Sequence, residues 1–344
     1  MKLFGGRLVR GLLLLLLGAL ACVLPSPAAR GFEAPAQEEA TRAGGLERLL
    51  AHDAGPPLDL KVVGSQRREG VTVDDLTFRG VTAGGAPVQA YLVRPSEGAG
   101  PFAGVLFVHW FAPPHPTSNR TQFLDEARTL ARRGAVSLLV STFWSDPARY
   151  RGRRWQDDYQ NTINQAKELR RALDVLTTRP GVDARRLAYV GHDYGAMFGA
   201  LISGADARPK TFALIAGASR FPDWYLYGSA SGVPAGDDLE HFRRQFAPLD
   251  PVNAVAGSKA SFFFQFGEDD RFTPRKDFVE LYLAAPSPKR MATYASDHAM
   301  SAEIIRHDRA AWLAEQLGLP PAAALPAEKA APVRASLDSR LLKF

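Results

Sequence analysis

An aspartate stands at the centre of a glycine-flanked turn in the middle of the chain. The segment Gly191-His192-Asp193-Tyr194-Gly195 follows the apolar run 187–190 and precedes the small-residue run 196–200. This order predicts a strand, a sharp turn and a helix, with glycines where a side chain would collide with the neighbouring element. We therefore expect the Asp193 carboxylate to project above a sheet, available as a nucleophile or a base.

Two later loops carry groups suited to work with Asp193. The run 262–266 leads into Gly267-Glu268-Asp269-Asp270, and the run that ends at Ala295 leads into Ser296-Asp297-His298. An imidazole oriented by a carboxylate is a common general base. Asp269, Asp270 and His298 are therefore candidates for such a pair. Taken singly, Asp270 is explained equally well as a turn residue and His298 as an ordinary hydrogen-bonded histidine.

The three motifs, in the order nucleophile, acid and histidine, resemble those of the α/β-hydrolase superfamily, whose elbow reads G-x-S-x-G. The resemblance implies that Asp270, the third residue after the glycine of its loop, is the acid and that His298 is the base, with Asp269 as the alternative acid. With aspartate in the serine position, this elbow resembles that of haloalkane dehalogenases and epoxide hydrolases. From about Val71 to Leu317 the chain is more similar to the dienelactone hydrolase branch, which lacks a large cap domain. The resemblance implies an α/β-hydrolase fold, with a mostly parallel eight-stranded sheet covered by helices on both faces.

The resemblance also implies a reaction. Attack by Asp193 on a saturated carbon would form an alkyl-enzyme ester, which a water activated by His298 would hydrolyse. This chemistry suits an alkyl halide or an epoxide. Attack on an ester would give a mixed anhydride with no advantage over direct hydrolysis, so an ester or lactone hydrolase would need another role for Asp193, such as general base. A non-catalytic binding protein of this fold is the remaining alternative.

An oxyanion hole is expected beside Asp193. Its first donor is the backbone N–H of Tyr194, and its second lies near Trp110 or Phe111. The loop reads His109-Trp110-Phe111-Ala112-Pro113, whereas dehalogenases and epoxide hydrolases usually have His-Gly-x-Pro there. The identity of the second donor is therefore open.

The insertion 221–256 is predicted to form a small lid over the site, although its aromatic residues are explained equally well by packing. The candidate pocket residues are His109, His192, Trp224, Tyr225 and Tyr227. No metal site and no cofactor are predicted, because the histidines lack the spacing of zinc ligands.

Strand-like and helix-like segments alternate along the chain. Several of the strand candidates are continuous apolar runs, which is typical of buried parallel strands. The predicted strands are Val71 to Phe78, Val88 to Val93, Val105 to His109, Ala135 to Thr142, Leu187 to Val190, Phe212 to Ala216, Ser261 to Phe266 and Arg290 to Ala295. The predicted helices are Phe123 to Arg133, Asn161 to Thr177, Ala196 to Gly204 and Ser301 to Leu317. This pattern favours a single α/β domain over residues 59–318.

The ends of the chain differ from the domain in composition. Basic residues before an apolar run that ends near Leu24 predict a signal peptide over 1–29, since the run is shorter than the roughly 20 residues of a bilayer span. Export to the periplasm or outside the cell is expected, with a membrane anchor or lipidation at Cys22 as the alternatives. Residues 30–58 are predicted to be a linker with a loosely docked helix at 46–51, and the Ala- and Pro-rich tail 319–344 to be extended or disordered.

Composition restricts the partners. The chain has 344 residues, 46% hydrophobic and 23% charged, with a formal charge of +6 that includes three basic residues of the predicted leader. Such a small excess is not the footprint of a nucleic-acid-binding protein. The expected partner is a small-molecule substrate, with no nucleic acid and no stable membrane contact after removal of the leader. Cys22 is the only cysteine, so stability must come from the core rather than from a disulfide.

Overall fold

The computed structural model describes residues 44–82, 85–227, 232–321 and 333–338. The predicted signal peptide, Cys22, the first part of the predicted linker and positions 228–231 of the predicted lid lie outside the described residues.

One ten-stranded sheet runs through the described part of the chain, in the order β1-β2-β3-β5-β4-β6-β7-β8-β9-β10. Strands β4 to β9 pair in parallel, whereas β1, β2, β3 and β10 pair antiparallel with their neighbours. The strands are β1 Lys61–Arg68, β2 Val71–Phe78, β3 Val88–Pro95, β4 Phe102–Val108, β5 Ala135–Val140, β6 Val182–His192, β7 Thr211–Ile215, β8 Ser261–Gly267, β9 Lys289–Tyr294 and β10 Val333–Asp338.

Helices cover both faces of the sheet. They are α1 44–49, α2 Leu124–Ala131, α3 Pro147–Arg151, α4 Asp158–Thr177, α5 Tyr194–Ser203, α6 Phe221–Tyr227, α7 Asp237–Phe246, α8 Pro251–Val255, α9 Arg275–Ala284 and α10 Glu303–Leu317. Helices α4 and α5 contribute to one hydrophobic core, and α2 and α10 contribute to the other.

The central strands β4, β5, β7 and β8 are buried on both faces, as the continuous apolar runs predicted. In β4, Leu106 packs in the core with α4 and α5, whereas the next residue, Phe107, packs in the core with α2 and α10. Successive side chains of a strand point to opposite faces, so a strand between two helical layers must be apolar at every position. All seven residues of β8 are buried for the same reason.

The eight predicted strands and four predicted helices are all present, with boundaries shifted by a few residues. The sheet differs from the predicted eight strands at its two edges. Strand β1 carries polar residues and is exposed along its whole length, so it has no hydrophobic period to reveal it.

The structure refines two predictions about the chain ends. The tail was expected to be extended or disordered, and residues 333–338 of it are extended and pair with β9 as the antiparallel strand β10. The helix before the domain was expected to dock loosely, but Leu46 and Leu50 are buried in the hydrophobic core. Short apolar segments in a polar context give little periodic signal, and tertiary packing decides their structure.

The insertion 221–256 contributes α6, α7 and α8, whose residues Phe221, Phe242 and Phe246 are fully buried. Its aromatic residues therefore serve largely as packing. Within the described ranges, no helix is both long enough and apolar enough to span a bilayer.

Candidate active site

Asp193 lies at the turn between β6 and α5, where the backbone is strained. Its φ of 56° is in the left-handed region, which is sparsely populated by residues other than glycine. The two flanking glycines are required sterically: a Cβ at Gly191 would collide with the carbonyl of Gly195, and a Cβ at Gly195 with the carbonyl of Val108. The turn therefore has the tight geometry expected of an elbow that presents one side chain above the sheet.

The carboxylate of Asp193 is fully buried and is held by backbone groups. The N–H of Phe111 donates to its Oδ2 at 2.8 Å, whereas its Oδ1 has no hydrogen-bond partner among the residues that the structure describes. Burial raises the pKa of Asp193 to about 7, against the opposing effects of His298 and of the backbone N–H groups of Phe111 and Tyr194. Near neutral pH, this side chain therefore exchanges between its ionised and protonated forms.

His298 and Asp270 are in direct contact. The Nδ1 of His298 lies 2.8 Å from the Oδ2 of Asp270, while the other oxygen of Asp270 accepts the backbone N–H groups of Phe272 and Thr273. Burial alone would lower the pKa of His298, but the hydrogen bond to Asp270 and the charge of Asp193 raise it above its usual value. Asp269, the alternative acid, is exposed and does not contact the imidazole.

Burial alone would raise the pKa of Asp270, but its hydrogen bonds with His298, Thr273 and Phe272 outweigh burial and lower it. Asp270 is therefore ionised at neutral pH. An ionised carboxylate accepts a proton-bearing Nδ1, which leaves Nε2 of His298 as the nitrogen that can take a proton from water.

Phe111, not Trp110, supplies the second backbone donor at the elbow. The N–H of Trp110 donates instead to the Oε1 of Gln122 at 2.8 Å, so it is not available to an oxyanion. The expectation that either residue could serve is corrected to Phe111 alone. The side chain of Trp110 stacks on the ring of His192, with ring centroids 4.9 Å apart.

A cleft of about 880 Å³ opens beside His298. It is lined by Trp110, Ala112, Glu268, Asp269, Asp270, Arg271, Phe272, Asp297, His298 and Ala299. Asp193 does not line this cleft, because its side chain has no exposed surface. The ring of Trp224, in α6, lies 5.7 Å from the ring of His298 and 6.2 Å from that of Tyr194, centroid to centroid. The indole of Trp224 thus packs near both the imidazole of His298 and the ring of Tyr194.

The other predicted pocket residues have different surroundings. His109 is buried, with Nδ1 on the carbonyl of Trp110 and Nε2 on Ser145, and burial lowers its pKa to about 4. Tyr225 is buried with its hydroxyl on Thr162. These two predictions are corrected, since the polar groups of both side chains are occupied by the protein itself.

The remaining two predicted pocket residues are Tyr227, after which the described part of α6 ends, and His192, which directly precedes Asp193. Tyr227 is exposed, and its ring packs on that of Phe272 at the cleft. His192 is buried, bonded to Gln122 through Nδ1 and to the carbonyl of His298 through Nε2. Gln122 was missed by sequence reasoning, because it belongs to none of the three motifs and only the fold brings it to the elbow.

The sheet order, the helices on both faces and the three loops at the carboxyl ends of β6, β8 and β9 define an α/β-hydrolase fold. Residues 122–285 match the prolyl oligopeptidase family, Peptidase_S9, a segment that includes Asp193 and Asp270 and ends before His298. No curated protein matches the chain in sequence.

Solved structures with the same fold are similar over most of the chain. An acetyl xylan esterase from Paenibacillus sp. R4 is 19% identical with a TM-score of 0.59, covering 76% of this chain and 88% of its own. An S-formylglutathione hydrolase from Agrobacterium tumefaciens is 15% identical with a TM-score of 0.58, covering 75% and 100%. A Klebsiella pneumoniae subsp. pneumoniae protein assigned as a dienelactone hydrolase is 17% identical with a TM-score of 0.52, covering 73% and 99%.

At these identities the similarity establishes the fold. The matching family and the three similar structures are hydrolases. This agrees with the prediction of a hydrolase related to the dienelactone hydrolase branch. The resemblance of the elbow to haloalkane dehalogenases and epoxide hydrolases gains no support from them.

Proposed function

We propose that this protein is a hydrolase of small esters or lactones, in which His298 activates water beside Asp193. The observation that carries the proposal is the contact of 2.8 Å between Nδ1 of His298 and Oδ2 of Asp270, next to a strained elbow. The structural neighbours, which include an acetyl xylan esterase and an S-formylglutathione hydrolase, support ester-type substrates over alkyl halides and epoxides.

In this mechanism Asp193 acts as an acid rather than as a nucleophile. With a pKa of about 7, its protonated form can donate a hydrogen bond to the carbonyl oxygen of the substrate. Water then attacks the carbonyl carbon while Nε2 of His298 takes its proton, and the same proton passes to the departing alkoxide. The ionised Asp270 stabilises the imidazolium that forms between these steps.

A second function, hydrolysis of alkyl halides or epoxides, is favoured by one specific observation. Oδ2 of Asp193 accepts the N–H of Phe111, while Oδ1 is buried without a partner. This is the arrangement of a nucleophilic carboxylate: Oδ1 would attack carbon, and Oδ2 would become the carbonyl oxygen of the alkyl ester, already at its backbone donor. Water activated by His298 would then hydrolyse that ester at the Asp193 carbonyl.

A single-turnover experiment in H₂¹⁸O separates the two mechanisms. The full chain, in excess, is offered 4-nitrophenyl acetate, 1-bromobutane or styrene oxide, and the peptide that contains Asp193 is weighed by mass spectrometry. Attack by water directly on an ester puts ¹⁸O in the released acid and none in Asp193. A covalent alkyl ester puts ¹⁸O in the carboxylate of Asp193.

The matched variants are His298→Ala and His241→Ala, since His241 is an exposed histidine on α7. We expect His298→Ala to abolish ester turnover and His241→Ala to retain it. Ester turnover that survives in both His298→Ala and Asp193→Ala would contradict the proposed site. An alkyl adduct of His298→Ala with 1-bromobutane or styrene oxide would favour hydrolysis of alkyl halides or epoxides.

A further inference from the structure

Gln122 lies in the turn before α2 and contacts two parts of the site at once. Its Oε1 accepts the backbone N–H of Trp110 at 2.8 Å, and its Nε2 lies 2.6 Å from the Nδ1 of His192. His192 continues the chain of contacts, because its Nε2 lies 2.8 Å from the carbonyl oxygen of His298. One side chain therefore connects the loop after β4 to the elbow, and through the elbow to the histidine loop.

The direction of every hydrogen bond in this chain follows from the first. A backbone N–H can only donate, so the amide atom that faces Trp110 must be the oxygen of Gln122. The other amide atom is then the NH₂ group, which donates to Nδ1 of His192. Because burial lowers the pKa of His192 well below its usual value, the ring is neutral and its single proton is on Nε2, which donates to His298.

We propose that Gln122 is a positioning residue. It fixes three segments relative to one another: the loop after β4, the elbow at Asp193 and the loop that carries His298. The evidence is the continuous chain Trp110 N–H, Gln122, His192 and His298 carbonyl, in which each end adjoins a group of the site. Trp110 immediately precedes Phe111, whose N–H donates to Asp193, and the carbonyl of His298 belongs to the residue proposed as the base.

The ring of Trp110 packs against the same series of hydrogen-bonded groups. It stacks on His192 at an interplanar angle of 18° and lies 6.4 Å from the ring of His298, centroid to centroid. The charged groups near His192 are His298 and Arg309, and Arg309 is paired with Glu126. A neutral His192 therefore places no additional charge beside the base.

Two substitutions of similar size test the proposal. Only the kinetic measurement rests on the proposed function. Gln122→Met keeps the size of the side chain but makes neither hydrogen bond. Gln122→Glu can still accept from Trp110, but it presents an oxygen to Nδ1 of His192. To satisfy that oxygen and the carbonyl of His298 together, the pair must take up one further proton, and we expect it on Nδ1 of His192 because imidazole is more basic than a carboxylate. The control is Gln160→Met, at an exposed glutamine on α4 that bonds only to Asn164.

The first measurement does not depend on turnover. In the full chain labelled with ¹⁵N-histidine, and with the resonance assigned from His192→Gln, His192 is expected to show the Nε2–H tautomer from pH 5 to pH 9. In Gln122→Glu it is expected to show the doubly protonated ring. In Gln122→Met the proton between His298 and Asp270 is expected to broaden or shift. An Nδ1–H tautomer of His192 in the unmodified protein would overturn the proposal.

The second measurement is kinetic, with 4-nitrophenyl acetate as the probe. A displacement of about 1 Å at a reacting group costs on the order of 10²-fold in rate, so Gln122→Met is expected to lower kcat by about that factor while KM changes much less. Gln160→Met is expected to match the unmodified protein. If kcat and the His298 resonance of Gln122→Met are both unchanged, Gln122 has no positioning role. If the unmodified protein hydrolyses no ester, the proposed function fails, and the NMR result still decides the role of Gln122.

Discussion

Two of the buried or half-buried groups of ionisable side chains in the described part of the fold are held in opposite ways. Behind the sheet, in what we call the paired cluster, Asp174 and Asp206 each contact Arg208 at 2.6 Å, and Asp174 also contacts His52 at 2.7 Å. Burial alone would raise the pKa of both carboxyl groups, but these partners lower it.

At the elbow the opposite holds. Asp193 is fully buried, the charge of His298 and the backbone N–H groups of Phe111 and Tyr194 oppose its desolvation only in part, and its pKa rises to about 7. Among the residues that the structure describes, no arginine or lysine forms an ion pair with it. The comparison teaches that arginine and histidine partners hold the pKa of a buried carboxyl group low, whereas a carboxyl group buried without an arginine or lysine partner, at a strained turn, has a raised pKa, which is the pattern expected of a functional site.

The sharpest test of this contrast is Asp193→Asn. Turnover is expected to fall by at least about 10³-fold, because an amide N–H is a much weaker hydrogen-bond donor than a carboxylic acid and an amide cannot act as a nucleophile. Loss of less than about tenfold would contradict a direct role for this carboxyl group.

The same variant has a thermodynamic signature. The pKa of Asp193 rises from 3.8 to about 7 on folding, so between these values the folded state binds more protons than the unfolded state. The stability of the unmodified protein should therefore fall, relative to Asp193→Asn, as the pH rises from about 4 to about 7, by up to about 4 kcal/mol. Urea unfolding of both proteins at pH 4.5 and pH 8 measures this difference in unfolding free energy. If the difference is the same at both pH values, the pKa of Asp193 is not raised on folding.

Asp270→Asn tests the pair that supports the base. We expect a loss in kcat of about 10²- to 10⁴-fold, because the tautomer of His298 is no longer fixed. The acidic limb of the pH–rate profile should move to lower pH, since removal of the Asp270 charge lowers the pKa of His298. Asp269→Asn, in the same loop but exposed, is the matched control, and an equal loss in that variant would restore Asp269 as the acid.

Asp174→Asn is the counterpart in the paired cluster. It should cost about 2 kcal/mol of unfolding free energy at pH 7, because Arg208 and His52 lose a charged hydrogen-bond partner. The difference should shrink as the pH falls through the depressed pKa of Asp174, where the unmodified protein loses the same charge. Because this cluster lies away from the elbow, kcat per folded molecule should not change, and a large loss of kcat would remove the distinction between the two regions.

The smallest expected effect concerns access to Asp193. Trp224 contacts the rings of both His298 and Tyr194, so Trp224→Ala should open a path to the buried carboxyl group. We expect kcat/KM for 4-nitrophenyl butyrate to rise roughly threefold, and that for the acetate to change less. Tyr227→Ala, at an exposed ring that packs on Phe272, is the control. A decrease in Trp224→Ala would mean that the indole binds substrate rather than covering the site.

Much of the fold was predictable because burial between two helical layers leaves a strong pattern in the sequence. Strands β2 to β9 were all predicted, several of them from continuous apolar runs, and Asp193, Asp270 and His298 follow three of them. Strand β1 was not predictable, since it is an exposed edge strand with no apolar face. Helices α6 and α7 were anticipated only as an insertion.

The sequence by itself determined the layered α/β architecture and the three loops that converge at one edge of the sheet, because hydrophobic period and glycine spacing are local properties. Only the tertiary structure decided that Phe111 rather than Trp110 donates to Asp193, that Asp270 rather than Asp269 holds His298, and that Gln122 reaches the elbow. A hydrogen bond depends on angstrom-scale placement of atoms that are far apart in the chain, and no local pattern encodes that placement.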